Sequence, residues 1–327
     1  MVVSRRQFVR GAVGAALATA AGGGCATFRE AGEDDGGFGG EIIDTHQHLW
    51  DLSRFRLKWL DNAGPRLKRD FGTQDYLHAT AGLNVEKAVY AEVAVASEQR
   101  EAEAAFVADL CRSRATPTLA AVIGGSVASD DFPTYIARHK GSPYIKGVRD
   151  GYRRGAADDE KFVRGVRLLG EQGMSFDLLA PPGLLVESVR LVEQCPGTRF
   201  VLDHCGNPDV KWFAEGADEG ARRSRTAWEE GVARLAERPN VVCKISGVAE
   251  SGEDGKVTAA TVAPVVSYCL DRFGDRRVMF ASNWPVCLKT ITLADWVAVV
   301  REVVAGRGGE FERRLFYVNA ARFYGLG

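Results

Sequence analysis

His46 and His48 sit two residues apart at the end of a short apolar run, EIIDT, and are the pair in this chain best suited to chemistry. Residues i and i+2 of a strand point to one face, so both imidazoles would stand together at one strand end. That arrangement suits a divalent metal, or a water held between two bases. A buried, hydrogen-bonded histidine pair is the structural alternative. The chain has only five histidines, which makes two in one His-x-His harder to ascribe to chance.

The elements that must carry these rings follow from periodicity. Short β-branched runs at 42–46, 87–93, 118–123, 144–148, 175–179, 199–203, 241–245 and 278–281 read as eight strands. Between them, 98–112, 160–172, 184–194, 227–238 and 262–272 repeat apolar residues at the three- and four-residue spacing of helices packed on a sheet. Strands alternating with helices imply parallel βαβ units. Eight such units in one chain of this length predict a single-domain α/β fold, a (β/α)8 TIM barrel. No GxGxxG or GxxxxGK[ST] motif follows a strand, which argues against nucleotide binding.

Barrel active sites lie at the C-terminal strand ends, and the unusual polar residues fall there: His46 and His48, Glu92, Arg149 and Asp150, Asp177, Asp203 and His204, Lys244 and Ser246, and Ser282 and Asn283. His78 and His139 read as surface residues. Cys205, Cys243 and Cys287 lie near three strand ends. They would form a soft metal site or, as free cysteines more commonly do, fill apolar space.

The segments IIDTHQHLWD, YIKGVRD, FDLL, RFVLDHCGNPD, NVVCKISG and RVMFASNWPVC, with the closing FYVNAARFY, resemble in order the strand motifs and terminal helix of the amidohydrolase superfamily. The resemblance is to its amidohydrolase-2 branch, which includes sugar-lactone and muconolactone-type lactonases. It implies a centre built from His46, His48, His204 and the residue at 283. His46, His48 and His204 would hold a divalent, zinc-like metal, although a metal-free mechanism is compatible with this branch. His204 and Asn283 would be catalytic. The family has Asp where this chain has Asn283, and a neutral amide cannot act as a carboxylate base. Three explanations remain: His204 is the base and Asn283 orients the water, the barrel binds sugars with weakened turnover, or the Asn replaces a natural Asp. Asn283→Asp is expected to raise turnover.

The reaction implied is water attack on the ester carbonyl of a sugar-acid (aldono-) lactone, a small-molecule substrate. A metal-dependent decarboxylase of the same superfamily is the alternative. Arg149 would grip a carboxylate or hydroxyls through its planar fork, or else form a structural salt bridge with Asp150 or Asp177. Lys244, in an apolar strand, must face the mouth or pair with a carboxylate, and the mouth is the favoured expectation. Trp50 and Trp284 would wall a sugar pocket, or pack beneath the loops.

The first 25 residues, with Arg5-Arg6 before an Ala/Gly-rich stretch, resemble a twin-arginine signal peptide, which implies export to the periplasm or cell envelope of a bacterium. Cys25 is a candidate lipid anchor, residues 26–40 read as a flexible linker, and 41–327 as the barrel. A net charge of −1 gives no electrostatic case for nucleic acid, and no segment is apolar enough to be a transmembrane span. Seven cysteines without CxxC spacing support neither a zinc ribbon nor a disulfide scaffold.

Overall fold

Eight strands alternate with eight helices in the computed structural model, which describes residues 40–327. The expectations for the leader, the linker and Cys25 fall outside these described residues. The order is β1 Ile42–Gln47, α1 Thr73–Ala79, β2 Val85–Ala91, α2 Arg100–Ser113, β3 Thr118–Gly124, α3 Phe132–Ala137, β4 Ile145–Gly151 and α4 Glu160–Glu171. It continues with β5 Ser175–Leu179, α5 Leu185–Gln194, β6 Arg199–Leu202, α6 Glu219–Ala236, β7 Val241–Ile245, α7 Ala259–Phe273, β8 Val278–Phe280 and α8 Leu293–Val304. Each strand pairs in parallel with its successor, from β1 through β8, in a nearly closed (β/α)8 barrel. Among the described residues, no helix is long and apolar enough to cross a membrane.

Helix α6 starts eight residues before the apolar pattern begins at Ala227. Its first turns are polar and are held by other means: Asp218 caps the Ala221 N–H, and Arg225 pairs with Glu229 at 2.8 Å. Helix α4 follows its pattern closely, with Phe162, Val163, Val166 and Leu169 buried against the sheet and Asp159 as its cap.

Alternation along the strands sorts the core into two layers. Val148, Phe176, Leu178, Phe200, Leu202 and Ile245 face the helices. Ile43, Val89, Val122, Val201 and Met279 fill the barrel floor, with Tyr324 and Leu326 from the chain's end closing it below. Period two therefore turns Arg149, Asp177 and Lys244 inward, one layer above the floor. On β1 the register with β2 shifts between Asp44 and Gln47. That irregularity re-aims His46 towards the interior.

The seam between β1 and β8 is closed chiefly by side chains. Thr45 Oγ1 donates to the Phe280 carbonyl at 2.7 Å, and one bridge joins Gln47 to Trp284. Asp44 Oδ1 accepts from the backbone N–H groups of Ser282 (2.8 Å) and His46 (3.1 Å). Its Oδ2 accepts from Ser282 Oγ (2.5 Å) and Tyr76 OH (2.8 Å). Asp44→Asn sets an NH2 group against two donors. We expect it to lower the unfolding free energy by about 3 kcal/mol in urea titrations. A loss below about 0.5 kcal/mol would mean that the backbone bridge alone holds the seam.

Candidate active site

The inner layer above the floor is a cluster of charges, each with 0% exposure except Arg149 and Glu92, at 8% each. Lys244 Nζ donates to Asp177 Oδ2 at 2.6 Å and stands 3.3 Å from Asp203 Oδ1. Arg149 Nε donates to Glu92 Oε1 at 2.7 Å, its Nη2 donates to the Glu92 carbonyl at 2.7 Å, and its Nη1 lies 3.7 Å from Asp203. Burial opposes both cations, but Asp177 and Asp203 raise Lys244 above its ordinary value, and Glu92 and Asp203 raise Arg149. Burial also works against charge on Asp203, yet Lys244 above all holds it well below the usual carboxylate range.

His46 lies inside this cluster. Lys244 Nζ and Arg149 Nη1 flank its two ring nitrogens, at 3.3 Å from Nδ1 and 3.2 Å from Nε2. A neutral ring has one lone pair to offer them, and an imidazolium has none. Burial, then Lys244, accordingly pushes His46 well below its ordinary value. His48 and His204 crowd the same ring, with centroids 4.8 and 4.5 Å away. Burial lowers His48 to about 3 and His204 to about 4, with Arg149 adding to both effects. All three rings are neutral at physiological pH.

The His48 tautomer follows from a fixed acceptor, whereas Ser246 Oγ beside His204 can donate or accept. His48 Nδ1 donates to the Ala91 carbonyl at 2.9 Å, leaving the Nε2 lone pair beside Asn283 Oδ1 at 3.2 Å. His204 Nδ1 pairs with Ser246 Oγ at 2.9 Å, which leaves Nε2 free. The loops carrying these groups have left-handed backbones: φ is +55° at His204, +53° at Cys205 and +55° at Asn283. Such conformations at non-glycine residues are uncommon outside functional sites and turns. The His204 turn also needs Gly247, where an added Cβ would come within 2.3 Å of the His204 Cβ.

Exposure separates two roles. His48 (5%), Asn283 (6%), His204 (7%) and Arg149 (8%) have edges that reach solvent at the mouth, while His46, Asp177, Asp203 and Lys244 do not. Lys244 is thus placed as the partner of a carboxylate and not at the mouth, because two acidic residues lie beside it in the barrel. The salt bridge of Arg149 goes to Glu92, while Asp150 accepts from the Val127 and Gly151 N–H groups. Trp50 (2%) and Trp284 (1%) lie in an aromatic layer under the loops, each edge-on to Phe71 at 5.1 and 5.4 Å. His78 is exposed, whereas His139 is half-buried against Tyr135. The thiols brought together are Cys205, Cys243 and Cys269, all buried. Cys269 comes from α7, and Cys287 lies apart from this group.

Sequence reasoning had Asp203 near the site but gave it no role, and it missed Glu250. His46, Asp203 and His204 bring ligand atoms within 4.8 Å of one another. Among the described residues, both Asp203 oxygens are buried without a hydrogen-bond partner, with His46 Nδ1 3.5 Å from Oδ1. The three carboxylates of Glu92, Asp177 and Asp203 outnumber the two cations, Arg149 and Lys244, and this excess of negative charge favours a further cation. This donor set fits a zinc-like ion. Glu250 follows β7 and accepts from Asn283 Nδ2 at 2.7 Å. No motif marked it, since it lies four residues past the last polar residue of its strand end.

Residues 43–326 match the amidohydrolase family model. The chain is 30% identical over 292 residues to an L-fucono-1,5-lactonase of Burkholderia ambifaria, covering 86% of this chain and 94% of the relative. It is 29% identical over 295 residues to an L-fucono-1,5-lactonase of Burkholderia multivorans, covering 87% and 96%. A crystal structure of an amidohydrolase from Burkholderia multivorans with bound zinc superposes with a TM-score of 0.75 at 25% identity, covering 88% of this chain and all of that one. Fold, strand motifs and family match agree, and the chain belongs to the amidohydrolase family.

Proposed function

We propose that this amidohydrolase opens a sugar-acid lactone by water attack on the ester carbonyl. The observation that carries this reading is the set of groups at the mouth: a neutral imidazole with a free nitrogen, His204 Nε2, shares it with the fixed cation Arg149. The sugar-lactonase relatives support the substrate class.

Lactone opening needs a proton acceptor for water, a positive group at the developing oxyanion, and a proton for the departing ring oxygen. His204 Nε2 takes the proton from water as the new C–O bond forms. Arg149, already oriented by Glu92, faces the carbonyl oxygen at no cost of reorganisation. The His204 imidazolium then returns its proton to the ring oxygen as the ring C–O bond breaks, and the hydroxy acid leaves as its carboxylate. A zinc-like ion held by His46, Asp203 and His204 would polarise the carbonyl instead, with His204 Nε2 as its ligand and no longer the base. Export by the twin-arginine route belongs to the same proposal, and Arg5→Lys with Arg6→Lys should leave the protein in the cytoplasm with its leader.

The purified protein should release acid from aldonolactones above the spontaneous rate in a pH-indicator assay. Carbon dioxide evolved from an aromatic acid instead would assign it as a decarboxylase. Thermal stabilisation by sugar lactones without turnover would make it a binding barrel.

His204→Gln should lower kcat by roughly 10²–10⁴-fold. Because burial depresses His204 to about 4, its base form is present at neutral pH. Activity should fall with acid through about 4 and not through the ordinary histidine range. Turnover that survives chelation keeps His204 Nε2 as the base, whereas a loss restored by zinc assigns that nitrogen to the ion.

A further inference from the structure

At position 283 the chain has an amide where the family resemblance implies a carboxylate, yet a carboxylate stands directly behind it. Glu250, on the short turn Ala249–Ser251 after β7, accepts from Asn283 Nδ2 at 2.7 Å. Its second oxygen is sealed from solvent and has no hydrogen-bond partner among the described residues. An ionised carboxylate only accepts, so it fixes the amide with Nδ2 inward and Oδ1 towards His48. The His48 ring is fixed as well, because its Nδ1 donates to the Ala91 carbonyl and leaves a lone pair on Nε2.

Two acceptors, Asn283 Oδ1 and His48 Nε2, then face each other across 3.2 Å at the solvent-reaching edge of the site. Neither can satisfy the other. A donor that enters the mouth satisfies Asn283 Oδ1, and water is the smallest. Burial pushes Glu250 up to about 7 against the pull of the Asn283 bond, so the pair is fully formed above neutrality.

We propose, building on the lactonase reading, that Glu250 is a positioning residue. It holds the Asn283 amide with its oxygen at the mouth, so that Asn283 Oδ1 accepts one hydrogen of the attacking water and the other is left for His204 Nε2. It also supplies, from behind, the negative charge that residue 283 lacks. The gain expected from Asn283→Asp therefore reverses, because that change sets two carboxylates where one 2.7 Å hydrogen bond now stands.

The test compares wild type, Glu250→Gln, Asn283→Asp and the double variant on an aldonolactone, at about one pH unit above the Glu250 value. Glu250→Gln frees the amide to turn, and kcat should fall roughly 100-fold with KM within roughly threefold. Asn283→Asp alone should lower kcat. In the double variant the side-chain amide introduced by Glu250→Gln donates to the new carboxylate, and kcat should return to within roughly threefold of wild type. Asn283→Asp acting by the same factor in both backgrounds would overturn the proposal, as would a Glu250→Gln enzyme with unchanged kcat. Thermal unfolding of each variant separates misfolding from misplacement.

A second readout needs no substrate. In 15N-labelled protein the Asn283 side-chain amide signal, recognised by its loss in Asn283→Asp, should shift and exchange faster in Glu250→Gln. An amide signal that stays in place would reject the positioning role even if lactones are opened. A signal that moves in a protein opening no lactone supports the positioning role and counts against the lactonase reading alone.

Discussion

Lys244 is the constraint around which the site is arranged. A lysine with no exposed surface inside a barrel must be matched by acid, because an unpaired buried charge costs several kcal/mol. Asp177 and Asp203 provide the match, and the ammonium they retain sits 3.3 Å from His46 Nδ1. Arg149, anchored by Glu92, occupies the other side of the same ring. His46 consequently stays neutral through geometry as well as burial. The strand alternation that turns Arg149, Asp177 and Lys244 inward is thus also the device that sets the protonation state of the central histidine.

Above this layer the mouth is built from loops under conformational strain. His204, Cys205 and Asn283 adopt left-handed backbones, and His204 needs the space that Gly247 leaves open. These segments are tied down by neighbours: Trp228 Nε1 donates to the Cys205 carbonyl at 2.7 Å, and Asp44 grips Ser282 beside Asn283. A strained loop persists only where its surroundings over-determine it. Here the seam between the first and last strands does so, and Asp44 links barrel closure directly to the placement of the amide.

The mouth and the interior divide the chemistry. Groups that never reach solvent hold charge, and groups with an exposed edge meet the substrate. Glu250 keeps one oxygen sealed from solvent behind Asn283, whose edge reaches the mouth. A carboxylate placed behind an amide keeps a negative charge near the reacting water while the neutral amide makes the contact. The cluster of Cys205, Cys243 and Cys269 lies outside this division, on the helix side of β7, where Cys205 and Cys243 both donate weakly to the Lys244 carbonyl at 3.7 Å.

By itself the sequence determined the fold class, since eight β-branched runs alternating with amphipathic helices have few other solutions. It also placed the strand ends that carry His46, His48, Arg149, His204, Lys244 and Asn283, because period two and strand termini are local properties. It did not determine which charges would meet. That Lys244 pairs with Asp177, that Arg149 turns to Glu92, and that Trp50 and Trp284 are packed under the loops depend on neighbours far apart in the chain. The tertiary structure alone decided the role of Glu250. Its carboxylate lies 33 residues from Asn283 in the chain and 2.7 Å from it in space. The parallel pairing of β7 with β8, which brings their loops side by side, sets that distance.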